Sequence, residues 1–155
     1  MTPAAATRLC SCFGLGRLGR APGTVASAAA VALGVPVLWV LGPVWLVALS
    51  CAALALGWQA CKHLPNADED PGWVVIDEVA GQWLALAFAP LTLWGSLAAF
   101  GLFRLFDIWK PWPVSWADQR LEGAASIMLD DMLAGGYAAL ILVGLGGVLM
   151  SSTDF

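Results

Sequence analysis

Between Val25 and Ala60 the chain carries no charged side chain, a run close to twice what one helix needs to cross a hydrocarbon core of about 30 Å. Gly42-Pro43 divides the run, which predicts a first helix over Thr24–Leu41 and a second over Val44–Cys61, joined by a tight apolar hairpin. The segment Lys62–Gly72 (KHLPNADEDPG) is polar, holds both Pro and Gly, and reads as a loop. From Trp73 to Lys110 the sequence turns apolar again, with a break at Pro90-Leu91-Thr92 that predicts third and fourth helices meeting at a turn. One long kinked span is the competing reading. Pro111–Gly123 (PWPVSWADQRLEG) is predicted as a second polar loop, and a fifth helix runs over about Ala125–Met150. Several of these spans are rich in Gly and Ala, which permits close helix packing where lipid supplies no hydrophobic drive.

Composition strengthens this pattern. Of the 155 residues, 60% are hydrophobic and only 12% charged, against roughly 25% charged in soluble domains; mean hydropathy is +0.80. The expected fold class is therefore all-α, a polytopic membrane bundle of about five helices. It is read as one membrane-embedded domain over residues 1–155, with a cytoplasmic arm and glycine loop at 1–23, a bundle at 24–150 and a tail at 151–155. Nine Trp suit the interface between hydrocarbon and water. Seven Lys and Arg in all make nucleic acid an unsuitable partner. Cys10, Cys12, Cys51 and Cys61 form no C-x-x-C pair and read as reduced. Residues 1–24 lack a compact apolar core of the kind a cleavable secretory signal needs.

The five-helix layout also sorts the charges. Arg8, Arg17, Arg20, Lys62, Arg104, Lys110 and Arg120 fall on one side, together with ten of the eleven acids, leaving only Asp154 on the other. That asymmetry predicts a cytoplasmic face, and a four-helix layout would destroy it.

Five carboxylates then gather at the cytoplasmic ends of three helices: Asp77 and Glu78 opening the third, Asp107 closing the fourth, and Asp130 and Asp131 in the first turns of the fifth. Ionisable groups near hydrocarbon are expensive and normally mark a site. Like charges so close require a counter-charge. Arg104 and Lys110, three residues on either side of Asp107, offer part of it, and a hard divalent cation such as Mg²⁺ would supply the rest. The competing reading is a set of solvated helix ends. Upstream, Gly14-x-Gly16-x-x-Gly19 matches the dinucleotide fingerprint only formally, since no strand precedes it. What remains is a glycine loop with Arg17 and Arg20 leading to Thr24 as an expected helix N-cap, an anion site or an arm touching anionic lipid heads. A phosphate cradle beside a magnesium-type acid cluster at headgroup height points to a phosphorylated lipid substrate in the cytoplasmic leaflet and to hydrolysis of a phosphomonoester.

Four blocks, in order, carry a family likeness: Ala21-Pro22-Gly23-Thr24; Asp70-Pro71-Gly72 with Val75-Ile76-Asp77-Glu78-Val79-Ala80-Gly81-Gln82; Phe103 through Pro113 (FRLFDIWKPWP); and Ile127 through Gly135 (IMLDDMLAG). The chain resembles the bacterial phosphatidylglycerophosphatase A proteins over nearly its whole length. The resemblance implies a Mg²⁺-dependent enzyme of the inner membrane that converts phosphatidylglycerophosphate to phosphatidylglycerol and phosphate. Members often carry a His just before the Asp of the second block; here Glu69 fills that place and the single histidine is His63, so a carboxylate base is expected. Asp77, Glu78, Asp130 and Asp131 are assigned to metal binding or water activation, with Asp107 shared between them and the cations. Arg20, Thr24, Arg104 and Lys110 are assigned to the phosphate. Asp70 is a further candidate ligand, Gly81 a point of close approach, and Gln82 a group that orients a carboxylate or water or simply packs. Trp109 and Trp112 are read as interface anchors, Asp118 and Glu122 as solvated loop charges. Direct attack by water ranks ahead of an aspartyl phosphate. An ion or proton carrier and a CDP-alcohol phosphotransferase are the rivals; the first predicts acids through the bilayer depth, and the second an Asp-Gly…Ala-Arg run that is absent.

Overall fold

The computed structural model describes residues 1–65 and 71–151. Seven α-helices follow one another: α1 (Pro3–Cys10), α2 (Pro22–Leu41), α3 (Pro43–Cys61), α4 (Ile76–Ala87), α5 (Leu93–Trp109), α6 (Val114–Arg120) and α7 (Ala124–Ser151), with a 3₁₀ turn at Leu15–Arg17 and no strand among the described residues.

The five expected apolar helices are present as α2, α3, α4, α5 and α7, and local chemistry explains their ends. Pro22 and Pro43 open α2 and α3 at positions where the missing N–H costs nothing. Between them Gly42 adopts φ +86°, a conformation that favours glycine, and makes the hairpin sharp. Thr92 accepts a hydrogen bond from Gly95 N at 3.0 Å and caps α5, so the turn expected at Pro90–Thr92 forms. Among the described residues, three helical stretches are long and apolar enough to cross a membrane: Pro22–Leu41, Pro43–Cys61 and Ala124–Leu145. The protein is accordingly a membrane protein. The twelve residues of α4 rise only about 18 Å, because its expected first turn is spent otherwise. Val74 N bonds Pro71 O, and Val75 N bonds Cys10 O at 2.9 Å.

Two helices appear where arm and loop were expected. In α1, Thr2 caps the start and Ala6 and Cys10, one turn apart, are buried against the end of α3, with Cys10 Sγ 3.7 Å from Cys61 Sγ. All four cysteines are free thiols. In α6, Val114 and Ala117 supply a two-residue apolar face, too short to register as a period, and both are buried.

Short α4 is the centre of the bundle, with neighbours α2, α3, α5 and α7 around it. Its tightest crossing is with α7. A Cβ on Gly81 would overlap the carbonyl oxygen of Asp131, and one on Gly135 would overlap the carbonyl oxygen of Gly81. Two glycines therefore let these backbones touch, as small residues do where dispersion rather than water drives helix association.

Candidate active site

The Gly81–Gly135 crossing fixes where the acids meet. Asp77 and Glu78 occupy the first turn of α4, while Asp131 lies beside Gly81 on α7. One carboxylate oxygen from each of Asp77, Glu78 and Asp131 falls within 4.8 Å of the others. Asp77 and Asp131 are buried, at 7% and 3% exposure. Asp107, at the end of α5, forms an ion pair with Arg104 one turn earlier. Carboxylates in contact away from water require a proton or a cation between them. Three carboxylate oxygens at this spacing could hold a metal ion.

The start of α2 closes the site from a third direction. A Cβ on Gly23 would overlap Glu78 Oε1 and come 3.1 Å from Arg104 Nη1, so the α2 backbone, the carboxylate and the guanidinium stand in contact. Glu78 Oε2 is buried without a hydrogen-bond partner, and so are both amide atoms of Gln82, one helical turn further along α4. Arg104 is 16% exposed and keeps its Nε unbonded.

Lys110 takes a separate place. It caps α5 in the left-handed conformation (φ 48°) and extends its ammonium between Asp118 of α6 and Asp130 of α7, 2.8 Å from Asp130 Oδ2. Burial disfavours this ammonium, but hydrogen bonds to Asp118 and Asp130 outweigh that and raise its pKa above the ordinary lysine value. Ser126 Oγ donates to Asp118 O at 3.1 Å, tying α6 to α7.

Residues 8–146 match the family described as Phosphatidylglycerophosphatase A. The chain belongs to the phosphatidylglycerophosphatase A family. It is 40% identical over 134 residues to a Haemophilus influenzae protein named phosphatidylglycerophosphatase A, covering 84% of this chain and 82% of that protein. An Escherichia coli protein of the same name is 36% identical over 138 residues (86% and 79%). A Bacteroides thetaiotaomicron protein with a provisional phosphatidylinositol-3-phosphatase name is 34% identical over 138 residues (84% and 86%). No solved structure matches.

Within this phosphatidylglycerophosphatase A fold, Asp77, Glu78, Asp107, Asp131 and Arg104 come together as their sequence positions suggested. Asp130 is turned instead toward Lys110, and its Oδ1 accepts from Asp131 N at 2.9 Å. Thr24 is not the α2 cap: Ala21 holds that position without a side-chain bond, and Thr24 lies in the first turn next to Gly23. Arg20 is exposed on the approach to α2. Asp118, expected to be a solvated charge, holds Lys110. Nothing local announced that role, since Lys110 and Asp118 belong to different helices whose packing brings them together. Trp109 and Trp112 are 69% and 75% exposed. Glu69 and Asp70 lie outside the described residues, as does Asp154.

Proposed function

We propose that the protein is a Mg²⁺-dependent phosphatidylglycerophosphatase that hydrolyses the terminal phosphomonoester of phosphatidylglycerophosphate at the cytoplasmic face of a bacterial inner membrane. The observation that carries this reading is the meeting of Asp77, Glu78 and Asp131 oxygens within 4.8 Å, in a chain whose relatives bear that name. Mg²⁺ suits the site because the donors are all hard oxygens, Glu78 Oε2 has no protein partner, and the mutual repulsion of buried carboxylates must be offset. Asp77, Glu78 and Asp131 would hold the ion, which when bound would offset charge on phosphate oxygens and favour deprotonation of water.

The chain's own groups do the rest. Arg104 lies beside Glu78, held by its ion pair with Asp107, and would contact a phosphate bound there. The first N–H groups of α2, at Gly23 and Thr24, have no partner within the helix and face the same end. Arg20 adds charge at the mouth. A carboxylate of the cluster accepts a proton from water as its oxygen bonds to phosphorus. The ester P–O bond to glycerol then breaks, and the departing oxygen takes up a proton to give the alcohol. All seven Lys and Arg belong to segments at this end of the five-helix layout, which supports a cytoplasmic orientation.

The test is release of inorganic phosphate from phosphatidylglycerophosphate by purified protein in detergent, with and without Mg²⁺ and with Asp131→Asn. Phosphatidylinositol 3-phosphate serves as a second substrate, because one relative's name points to it. Mg²⁺-dependent release that Asp131→Asn abolishes is expected, with the glycerol lipid preferred. Equal release by the variant removes the assignment, and a preference for the inositol lipid moves the substrate.

A further inference from the structure

An apolar groove of about 390 Å³ lies between α2, α3 and α4, beside the turn of α4 that carries Asp77 and Glu78. Its head is formed by Ile76 and Val79, which flank Asp77 and Glu78 on the first turn of α4, and by Cys12 and Phe13 of the loop after α1. Its lower walls are Ala29 and Leu33 on α2 and the α3 stretch Leu49–Leu56, which extends about 10 Å along the helix. The direction is set by the topology. α2 leaves the site at its start, α3 returns to it at its end, and both are long enough to cross a membrane.

We infer that this groove between α2, α3 and α4 takes an acyl chain of the lipid whose phosphate is handled at Asp77, Glu78 and Asp131. The inference rests on the proposed phosphatase reading and adds to it how a lipid is told from a water-soluble phosphomonoester. Three features select an acyl chain as the occupant. The lining is carbon almost throughout, with Ala29, Ala52 and Ala53 leaving the width. The groove opens sideways to lipid, Leu33 and Leu56 at its edges being 66% and 53% exposed. Its head adjoins the headgroup site, since Ile76 and Val79 flank Asp77 and Glu78 on one helical turn and Ala29 lies on the helix whose start at Gly23 touches Glu78. A lipid whose phosphate lies at Arg104 and Glu78 would thus lead a chain down past Val79 without turning through polar protein.

The groove can be filled without touching the acids. Ala52 is exposed on α3 and lines it, so Ala52→Phe, and separately Ala29→Phe, would occupy the chain's path. Turnover is compared on diacyl phosphatidylglycerophosphate and on its deacylated, water-soluble headgroup, which carries the same phosphomonoester. The expected result is a KM for the diacyl lipid raised about tenfold, equivalent to roughly 1.4 kcal/mol, with kcat/KM for the soluble headgroup unchanged. Unchanged discrimination in both variants, or equal losses on both substrates, overturns the groove assignment. If wild type hydrolyses neither form, the phosphatase reading fails instead, and the groove is then read by photolabelling. Phosphatidic acid with a diazirine-bearing chain should label the Leu49–Leu56 stretch more strongly than phosphatidylcholine with the same chain, and Ala52→Phe should remove the difference. Equal labelling by the two lipids sinks the inference by this second route.

Discussion

Lys110 Nζ stands 2.8 Å from Asp130 Oδ2, and Asp118 holds the same ammonium from the other side. One cation thereby joins the end of α5, the short α6 and the second turn of α7. Asp130 is the chain neighbour of Asp131, so this clamp holds α7 in the rotation that the Gly81–Gly135 contact gives it, with Asp131 at the acid cluster. Lys110 was assigned to the phosphate from its place in the sequence; its geometry makes it first a positioning residue.

Lys110→Met should lower stability by about 1–3 kcal/mol, since a mostly buried carboxylate loses its cation. The pH dependence has a definite sign. The folded pKa of Lys110 is raised, so its contribution is complete below the unfolded value of about 10.4 and is lost as pH rises through the folded one. The difference in unfolding free energy between wild type and Lys110→Met should therefore stay flat from about pH 6 to 9 and shrink only in stronger alkali. A difference that falls steadily across the neutral range would show that another group carries the effect.

Gly23→Ala and Gly81→Ala should fail in different ways. At Gly81 the added methyl meets the Asp131 carbonyl and, at 2.6 Å, the Phe103 ring, so α4 and α7 must separate. Overpacking of this kind costs about 1–3 kcal/mol, read as a lower midpoint of thermal unfolding in detergent. At Gly23 the methyl meets the far end of the Glu78 side chain, which can swing away. The fold should survive with a midpoint close to wild type while turnover falls by at least about tenfold, because Glu78 is displaced from Asp77 and Asp131. A Gly23→Ala protein with full activity would separate Glu78 from the chemistry.

Asp131→Asn should abolish the stabilisation by Mg²⁺ while raising stability without it. Without the ion, wild type holds several carboxylates in contact, and removing one relieves repulsion, so the variant should unfold at a higher temperature. With the ion near one hundred times its dissociation constant, wild type should gain about 2.7 kcal/mol and the variant little. Equal shifts in the two proteins would place the ion elsewhere.

Gln82→Leu tests the buried amide whose nitrogen and oxygen have no partner. A group that merely packs would be replaced at no loss, and stability would hold or rise. If the amide orients Glu78 through water, Gln82→Leu should keep its unfolding midpoint but lose kcat more than KM, and Gln82→Asn should restore part of kcat. Unchanged kcat in Gln82→Leu returns Gln82 to a packing role.

The sequence by itself determined the membrane helices and the end of the bundle that carries the charge. A chain without ions from Val25 to Ala60 has no stable place but lipid, and in lipid its backbone must form helices. Hydrophobic runs and their breaks are local quantities, which is why Gly42 and Pro90–Thr92 were legible as turns. They also placed Asp77, Glu78, Asp107 and Asp131 near one depth. Which carboxylates meet depends on how each helix is rotated and how closely two helices approach, and no run of residues encodes that. The Gly81–Gly135 contact decided it, bringing Asp131 to Asp77 and Glu78 and turning Asp130 toward Lys110. The same holds for Asp118, for Gly23 against Glu78, and for α1 and α6, whose buried faces of two residues each become visible only when the surface that covers them is in place.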